Sequence, residues 1–254
     1  MAVKTATSKI APETSFIKSG VPGLDDLFVE KGIRKKNTVL VTGAPGTGKS
    51  ILLWQFLYNG AMQGEPGLLL TIEEPAERVR ENAKSLGIDF TELEKTKQIK
   101  IIERPLLTKS LFGAGELIEN IKKMKAKRVA VDSLTMFKHL YPPETTEYRT
   151  ELLKFMEYMK NEGVTMLCSS EREVTDWDNF AYEAQDFLFD GLVVVGKIRK
   201  GLNYERILNI AKMRGQDHSL LIAPTKIEKG GMHVYSKSPS FAMIDKDLRG
   251  GKKN

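Results

Sequence analysis

Continuous hydrophobic runs alternate with amphipathic stretches over the first two thirds of the chain. The apolar runs predict short buried strands at 37–43, 67–72, 99–102, 128–132 and 164–170. Apolar residues at helical spacing, or a proline at a favoured first position, predict helices at 50–63, after Pro75, near 115–126 and near 146–161. Strands that are apolar throughout and separated by helices indicate a parallel sheet covered on both faces.

The pattern changes after residue 188. In "FDGLVVVGKIRKGLNYERILNIAKMRG", two strand-like runs flank a glycine-containing polar turn, which predicts an antiparallel hairpin. The expected fold class is therefore α/β, with a mainly parallel sheet, helices on both faces and a C-terminal antiparallel hairpin. No repeat or composition break marks a second domain. We expect one domain over 16–240, a flexible polar arm over 1–15 and a basic, disordered tail over 241–254.

The composition narrows the class of protein. The chain has 254 residues, 41% of them hydrophobic and 28% charged, which is enough for one ample core. No apolar run approaches the roughly 20 residues that span a bilayer, and the N-terminus lacks the apolar core of a secretory signal. The single cysteine, Cys168, fits a reducing compartment. We predict a soluble cytoplasmic protein with no membrane partner.

The sequence "GAPGTGKS" at 43–50 lies between a predicted strand and a predicted helix. In that context G-x-x-x-x-G-K-[ST] predicts a P-loop, whose glycines let backbone N–H groups surround a phosphate at a helix N-terminus. Lys49 would reach the β- and γ-phosphates of a nucleotide, and the Ser50 hydroxyl would bind Mg²⁺. The predicted nucleotide contacts in this segment are Gly43, Gly46, Thr47, Gly48, Lys49, Ser50 and Ile51.

Carboxylates follow two other predicted strands. "RVAVDS" places Asp132 at the carboxyl edge of the sheet, where it can hold magnesium; the alternative is a turn cap. "LLLTIEEP" offers Glu73 and Glu74, and hydrolysis needs a carboxylate that orients water toward the γ-phosphate. The alternative is that Glu74 only stabilises the N-terminus of the helix at Pro75. We predict that Glu73 orients the water with support from Glu74, although the sequence leaves their roles interchangeable.

Taken together, the P-loop, "EEP", "VAVDS" and "KMRG" resemble the KaiC-like branch of the RecA superfamily. "SGVPGLDDL" and "QFLYNGA" are similar to the opening half of that branch, and "SSER" and "AKMRGQDHS" to its closing half. The similarity runs from about Phe16 to Tyr235. It implies an ATPase core that binds ATP and Mg²⁺ and assembles as a ring, usually a hexamer, with ATP between neighbouring subunits.

The resemblance also suggests a role for two cations late in the chain. Lys212 and Arg214 straddle Met213, and alternation along a strand places both cations on one face. Taken alone, they fit a solvated strand end equally well. In the resembling family this strand end projects toward the nucleotide of the adjacent protomer, so the resemblance implies that Lys212 and Arg214 stabilise γ-phosphate charge in trans. It further implies nucleotide contacts for Ser85, Met213 and His218.

Two features separate this chain from the clock protein that gives the branch its name. That protein carries two such domains in tandem, whereas the motifs occur once here, so a clock function is not implied. Its autophosphorylated Ser and Thr align with Asp186 and Phe187, which have no hydroxyl group. We therefore expect ATP hydrolysis without autokinase activity at these positions.

Three functions remain open from the sequence. The first is a ring ATPase that acts on an unidentified protein partner in a regulatory or signalling role. The second is a recombination-accessory ATPase that binds DNA, and the third is a nucleotide sensor without turnover. Residues 171–190 hold seven acidic residues against one arginine, Arg172, and would repel a nucleic-acid backbone. DNA binding, if present, is expected only at the periphery, through the basic hairpin or tail.

Overall fold

The computed structural model describes residues 15–104, 114–141, 145–238 and 240. The strands are β1 (Phe16–Ile17), β2 (Ile33–Arg34), β3 (Thr38–Gly43), β4 (Gly67–Thr71), β5 (Ile99–Glu103), β6 (Arg128–Asp132), β7 (Thr165–Glu171), β8 (Gly191–Lys200), β9 (Asn203–Met213), β10 (Ala223–Glu228) and β11 (Gly231–Val234). The helices are α1 (Lys49–Met62), α2 (Ala76–Ser85), α3 (Thr91–Lys95), α4 (Ala114–Met124), α5 (Thr135–Leu140) and α6 (Thr146–Asn161).

Nine of these strands form one sheet in the order β11-β10-β9-β8-β3-β7-β6-β4-β5. The strands from β8 to β5 in that order are parallel, and β8 to β11 are joined by antiparallel pairs. This arrangement confirms the predicted fold class. Parallel strands end at a common edge, so the segments that follow β3, β4, β6 and β7 meet in space.

Both faces of the sheet are buried, which explains why its central strands are apolar throughout. Successive residues of β3 point to opposite faces: Val39 and Val41 pack in the core cluster that contains most of α1. Leu40 packs on the other side, among side chains that include Tyr148 and Phe155 of α6. Among the described residues no helix is long and apolar enough to cross a membrane.

The hairpin of β10 and β11 was not predicted. It turns at Lys229 and Gly230 and adds two strands to the sheet next to β9. The Gln55 side chain of α1 donates to the Met232 carbonyl at 3.1 Å and accepts from the Met232 N–H at 2.7 Å. This paired contact fixes the hairpin against the first helix, close to the loop that precedes it.

The predicted arm and tail fall largely outside the described residues, which exclude 1–14 and 241–254. The boundaries of the predicted single domain therefore stay predictions. Ser240, the last described residue, is buried and donates its hydroxyl hydrogen bond to Glu205 of β9.

Candidate active site

The loop between β3 and α1 can form only because glycine occupies specific positions. A Cβ atom on Gly43 would lie 2.0 Å from the Val195 carbonyl oxygen, a backbone atom that cannot rotate away. Gly48 has φ 107°, and a Cβ there would lie 2.6 Å from the Met232 side chain of β11. The loop is thus packed tightly against β8 and β11 while its N–H groups remain at the start of α1.

Lys49, the first residue of α1, reaches back over this loop. Its Nζ donates to the Gly43 carbonyl at 2.9 Å and the Ala44 carbonyl at 3.2 Å, and the side chain is mostly buried. Burial lowers the pKa of Lys49, and the nearby carboxylates of Glu171, Asp132 and Glu73 oppose that shift. A lysine ammonium has three donors, so one remains for a ligand in the cleft.

A cleft of about 410 Å³ opens in front of the loop. It brings together the loop, the start of α1 and the ends of β4, β6 and β7. Its lining residues are Pro45, Gly46, Gly48, Lys49, Ser50, Ile51, Glu73, Asp132, Ser133, Glu171, Arg206 and Ile227. Seven of the predicted site residues therefore share one cleft, namely Gly46, Gly48, Lys49, Ser50, Ile51, Glu73 and Asp132. Thr47 instead holds the turn, because its hydroxyl donates to the Ala44 carbonyl at 2.8 Å.

The structure separates the two glutamates after β4. Glu73 lines the cleft, and its carboxylate accepts a hydrogen bond from the Ser133 hydroxyl. Glu74 accepts from the Asn82 side chain at 2.7 Å and lies 4.0 Å from Arg78, both on α2. Burial and then the charge of Asp132 raise the pKa of Glu74. The contacts of Glu74 are therefore those of a residue that braces α2, and only Glu73 faces the cleft.

The cleft offers donors that suit magnesium. Asp132 accepts from the Ser169 hydroxyl and lines the cleft with Ser50, Glu73 and Glu171, so hydroxyl and carboxylate oxygens converge. Within the described ranges no group of three or more His, Cys, Asp or Glu residues forms a ready metal cage. Mg²⁺ commonly uses one or two carboxylates and takes its other ligands from phosphates and water, so this donor set fits it.

Two charged residues of the cleft lining, Glu171 and Arg206, were not predicted as site residues. Glu171 had been counted only as one charge of the acidic segment, but β7 pairs with β3 and sets Glu171 opposite Gly43. Arg206 is opposite Lys197 in the β8–β9 hairpin, and its Nε is buried without a hydrogen-bond partner among the described residues. The position of Glu171 at the end of a predicted strand could have identified it as a site residue. No local feature of the sequence identifies Arg206.

The remaining predicted contacts lie elsewhere. Gly191 pairs with both Val39 and Met213, which places the end of β9 at the amino edge of the sheet. Lys212 is level with Leu40, three residue rises or about 10 Å below Gly43, and Arg214 lies further still from the loop. They cannot reach the cleft of their own protomer. Burial and the charge of Arg214 lower the pKa of Lys212.

Three further nucleotide contacts, implied for Met213, His218 and Ser85, involve residues that do not line the cleft. The Met213 side chain is buried in the core of its own protomer, and its implied contact with nucleotide stays a prediction. His218 pairs with Phe28 in an isolated bridge near the amino edge. Ser85 ends α2 and donates to the Asn82 carbonyl at 2.7 Å. Neither His218 nor Ser85 lines the cleft, and their proposed contacts stay predictions.

Comparison with known proteins identifies the family of this chain. The family model described as the ATPase KaiC matches residues 17–239. A UPF0273 protein of Aeropyrum pernix is 33% identical over 236 residues, covering 86% of this chain and 93% of that protein. The circadian clock oscillator protein KaiC of Parathermosynechococcus lividus is 32% identical over 229 residues, which cover 86% of this chain but 42% of the clock protein.

A solved structure shares the fold. The crystal structure of a KaiC-like protein from Pyrococcus horikoshii OT3 aligns with a TM-score of 0.74 and 33% identity, covering 87% of this chain and 98% of that chain. The family match spans the P-loop, the carboxylates of the cleft and the Lys212–Arg214 strand end. The chain belongs to the KaiC-like ATPases of the RecA superfamily.

Proposed function

We propose that the protein hydrolyses ATP with Mg²⁺ as a ring-shaped assembly, usually of six copies, and that its cycle regulates a protein partner. The observation that carries this proposal is the convergence of Lys49, Asp132 and Glu73 on one cleft at the end of a P-loop. A phosphate-binding loop alone would serve a sensor. A carboxylate directed into the same cleft is what hydrolysis requires.

Each residue has a distinct task in this proposal. The loop N–H groups and Lys49 hold the β- and γ-phosphates, and Glu73 accepts a hydrogen bond from the attacking water to orient it. Ser50 and Asp132 would hold Mg²⁺, which neutralises phosphate charge when bound. Arg206, with its unpartnered buried Nε, supplies a further positive charge to the phosphate end of the cleft.

The positions of Lys212 and Arg214 support assembly into a homo-oligomer. Lys212 and Arg214 are at the sheet edge opposite the cleft, so they can act only on the nucleotide of another copy. A contact between two different surfaces of identical subunits is head-to-tail, and such contacts close into rings when the rotation permits. This arrangement supports a homo-oligomer in which each cleft is completed by its neighbour.

Arg206→Gln is expected to weaken ATP binding by about tenfold, because it removes one charge-assisted hydrogen bond to phosphate. Arg199→Gln is the matched control, since Arg199 lies on the same hairpin but is exposed and bonded to the Gly201 carbonyl. Titration with a fluorescent ATP analogue measures both dissociation constants. Equal weakening in the two variants would show a general charge effect and contradict a specific contact.

The structure supplies an argument against the DNA-binding alternative. Glu173, Asp176 and Asp178 are exposed beyond β7, where they would repel phosphates. Trp177 packs so closely on Gly196 that a Cβ there would lie 2.2 Å from its ring. Its ring is therefore covered on that side by β8 instead of being presented for base stacking.

Steady-state ATP hydrolysis with Mg²⁺, measured with and without single-stranded DNA at low and moderate salt, tests the proposal. We expect turnover that DNA does not change. Strong stimulation that fades with salt would instead support the recombination function. Tight ATP binding without turnover under all conditions would support the nucleotide sensor.

A further inference from the structure

The segment between β7 and β8 runs from the cleft to the opposite edge of the sheet. It begins at Arg172, directly after the cleft residue Glu171, and ends at Asp190, directly before β8. Near its end, Ala184–Phe187 form a short 3-10 helix beside the end of β9. This segment therefore connects a cleft residue of its own protomer to the cations proposed to serve the next one.

Backbone carbonyls of this segment hold both cations. The Lys212 Nζ donates to the Asp186 carbonyl at 2.8 Å and to the Phe189 carbonyl at 2.6 Å. The Arg214 Nη2 donates to the Phe187 carbonyl at 2.9 Å. Two of the three Lys212 donors are thus fixed in direction, which also fixes where the third one points. The geometry of the 3-10 helix therefore sets the direction of both side chains.

The 3-10 helix is itself anchored by a buried ion pair. The Asp186 carboxylate is fully buried, accepts from Arg172 Nη2 at 2.6 Å and accepts from the Glu183 backbone N–H at 2.8 Å. Arg172 is also buried, and its Nε donates to Glu183 at 3.1 Å. Burying such a pair contributes little net stability compared with apolar packing, whereas removing one partner leaves the other charge buried and uncompensated.

We propose that Asp186, held by Arg172, is a positioning residue that aims Lys212 and Arg214 at the nucleotide of the adjacent protomer. The inference rests on the trans-acting role in the proposed function. Asp186 touches neither cation with its side chain; it acts by fixing the carbonyls that orient them. Because Arg172 follows Glu171, the same pair links the cleft of one protomer to the cations that complete the next.

Asp186→Asn in the full-length assembled protein tests this role. Arg172 donates to Asp186 Oδ1 and the Glu183 N–H donates to Oδ2. Asparagine replaces one of these oxygens with an NH2 group that cannot accept, so the 3-10 helix loses one of its two anchors. Misplacing the cations is expected to lower kcat for ATP by about 10- to 100-fold, with KM and the affinity for a fluorescent ATP analogue within about threefold of wild type. Wild-type kcat would overturn the proposal.

Glu65→Gln is the matched control. Glu65 pairs with the buried Arg128, so this variant also weakens an ion pair with a buried partner. Neither Glu65 nor Arg128 lines the cleft or bonds to Lys212 or Arg214 among the contacts described above. It is expected to lower thermal stability as Asp186→Asn does and to keep wild-type kcat. If Glu65→Gln lost kcat to the same extent, the effect of Asp186→Asn would be one of general destabilisation and the positioning role would be overturned.

Mixed assemblies show whether the defect acts in trans. Asp186→Asn protomers retain an intact cleft, and Lys49→Ala protomers retain intact cations. In a random equal mixture, about a quarter of the interfaces should place an intact cleft next to intact cations. Turnover should therefore recover to about a quarter of the wild-type value. No recovery would mean that Asp186 supports its own cleft, which overturns the proposal.

Three further variants separate the possible failures. Arg172→Lys keeps a positive charge beside Asp186 but replaces the planar guanidinium, whose Nε and Nη2 bond Glu183 and Asp186, with a single ammonium group. It should therefore give a smaller loss with the same recovery in mixtures. If Arg214→Ala loses turnover while Arg172→Lys and Asp186→Asn keep wild-type kcat, the trans-acting role stands and only the positioning role is overturned. Wild-type kcat in both Lys212→Ala and Arg214→Ala would instead remove the trans-acting role itself, and the inference with it.

Discussion

Replacing Arg214 with alanine is expected to lower kcat for ATP by about 10³-fold or more, the effect of removing a trans-acting arginine from a phosphoryl-transfer site. Arg214 donates to the Phe187 carbonyl at the amino edge of the sheet and lies far from the cleft of its own protomer. ATP affinity should therefore stay largely unchanged, because the loop, Lys49 and Arg206 are untouched. Steady-state kinetics and titration with a fluorescent ATP analogue measure the two effects separately.

Subunit mixing gives this prediction its sharpest test. Arg214→Ala and Lys49→Ala protomers are each expected to be inactive alone, while an equal mixture should regain about a quarter of wild-type turnover. Arg149→Ala is the control, because Arg149 is an exposed arginine on α6 and should keep full activity. Two inactive variants that stay inactive when mixed would contradict catalysis in trans. Loss of ATP affinity in Arg214→Ala would point to a binding role instead.

The parts of the site that depend on local sequence were predictable. A P-loop requires a strand, a glycine-rich turn and a helix within about 25 residues, so "GAPGTGKS" fixed the position of Lys49 and Ser50 in the fold. The positions of Asp132 and Glu73 in the site could also be predicted, because residues that follow parallel strands share one edge of the sheet. These predictions needed no knowledge of which strand lies beside which.

The parts that depend on strand pairing were not predictable. Glu171 reaches the cleft because β7 is the direct neighbour of β3, and Arg206 does so because the β8–β9 hairpin lies on the other side of β3. The β10–β11 hairpin was missed because its strands mix polar and apolar residues and are short. Nothing in the sequence indicates that the carbonyls after Gln185 hold Lys212, since 23 to 26 residues separate the partners.

Glu73→Gln is expected to lower kcat for ATP by about 10²- to 10⁴-fold, the range for losing a group that orients and deprotonates the attacking water. Glutamine preserves the length of the side chain and an acceptor for the Ser133 hydroxyl, so the cleft should keep its shape. The neighbouring carboxylate provides the matched control. Glu74→Gln should change kcat by less than about threefold, since Glu74 bonds to Asn82 and Arg78 of α2.

The comparison of the two variants decides the assignment that the sequence left open. Rapid ATP binding with almost no product release in Glu73→Gln, together with near-normal turnover in Glu74→Gln, would identify Glu73 as the residue that orients the water. The reverse result would mean that Glu74 leaves α2 and enters the cleft when ATP binds. Because Glu73 and Glu74 are adjacent on the same turn, any general damage to that turn should affect both variants alike. A large difference between them therefore reports on chemistry in the cleft.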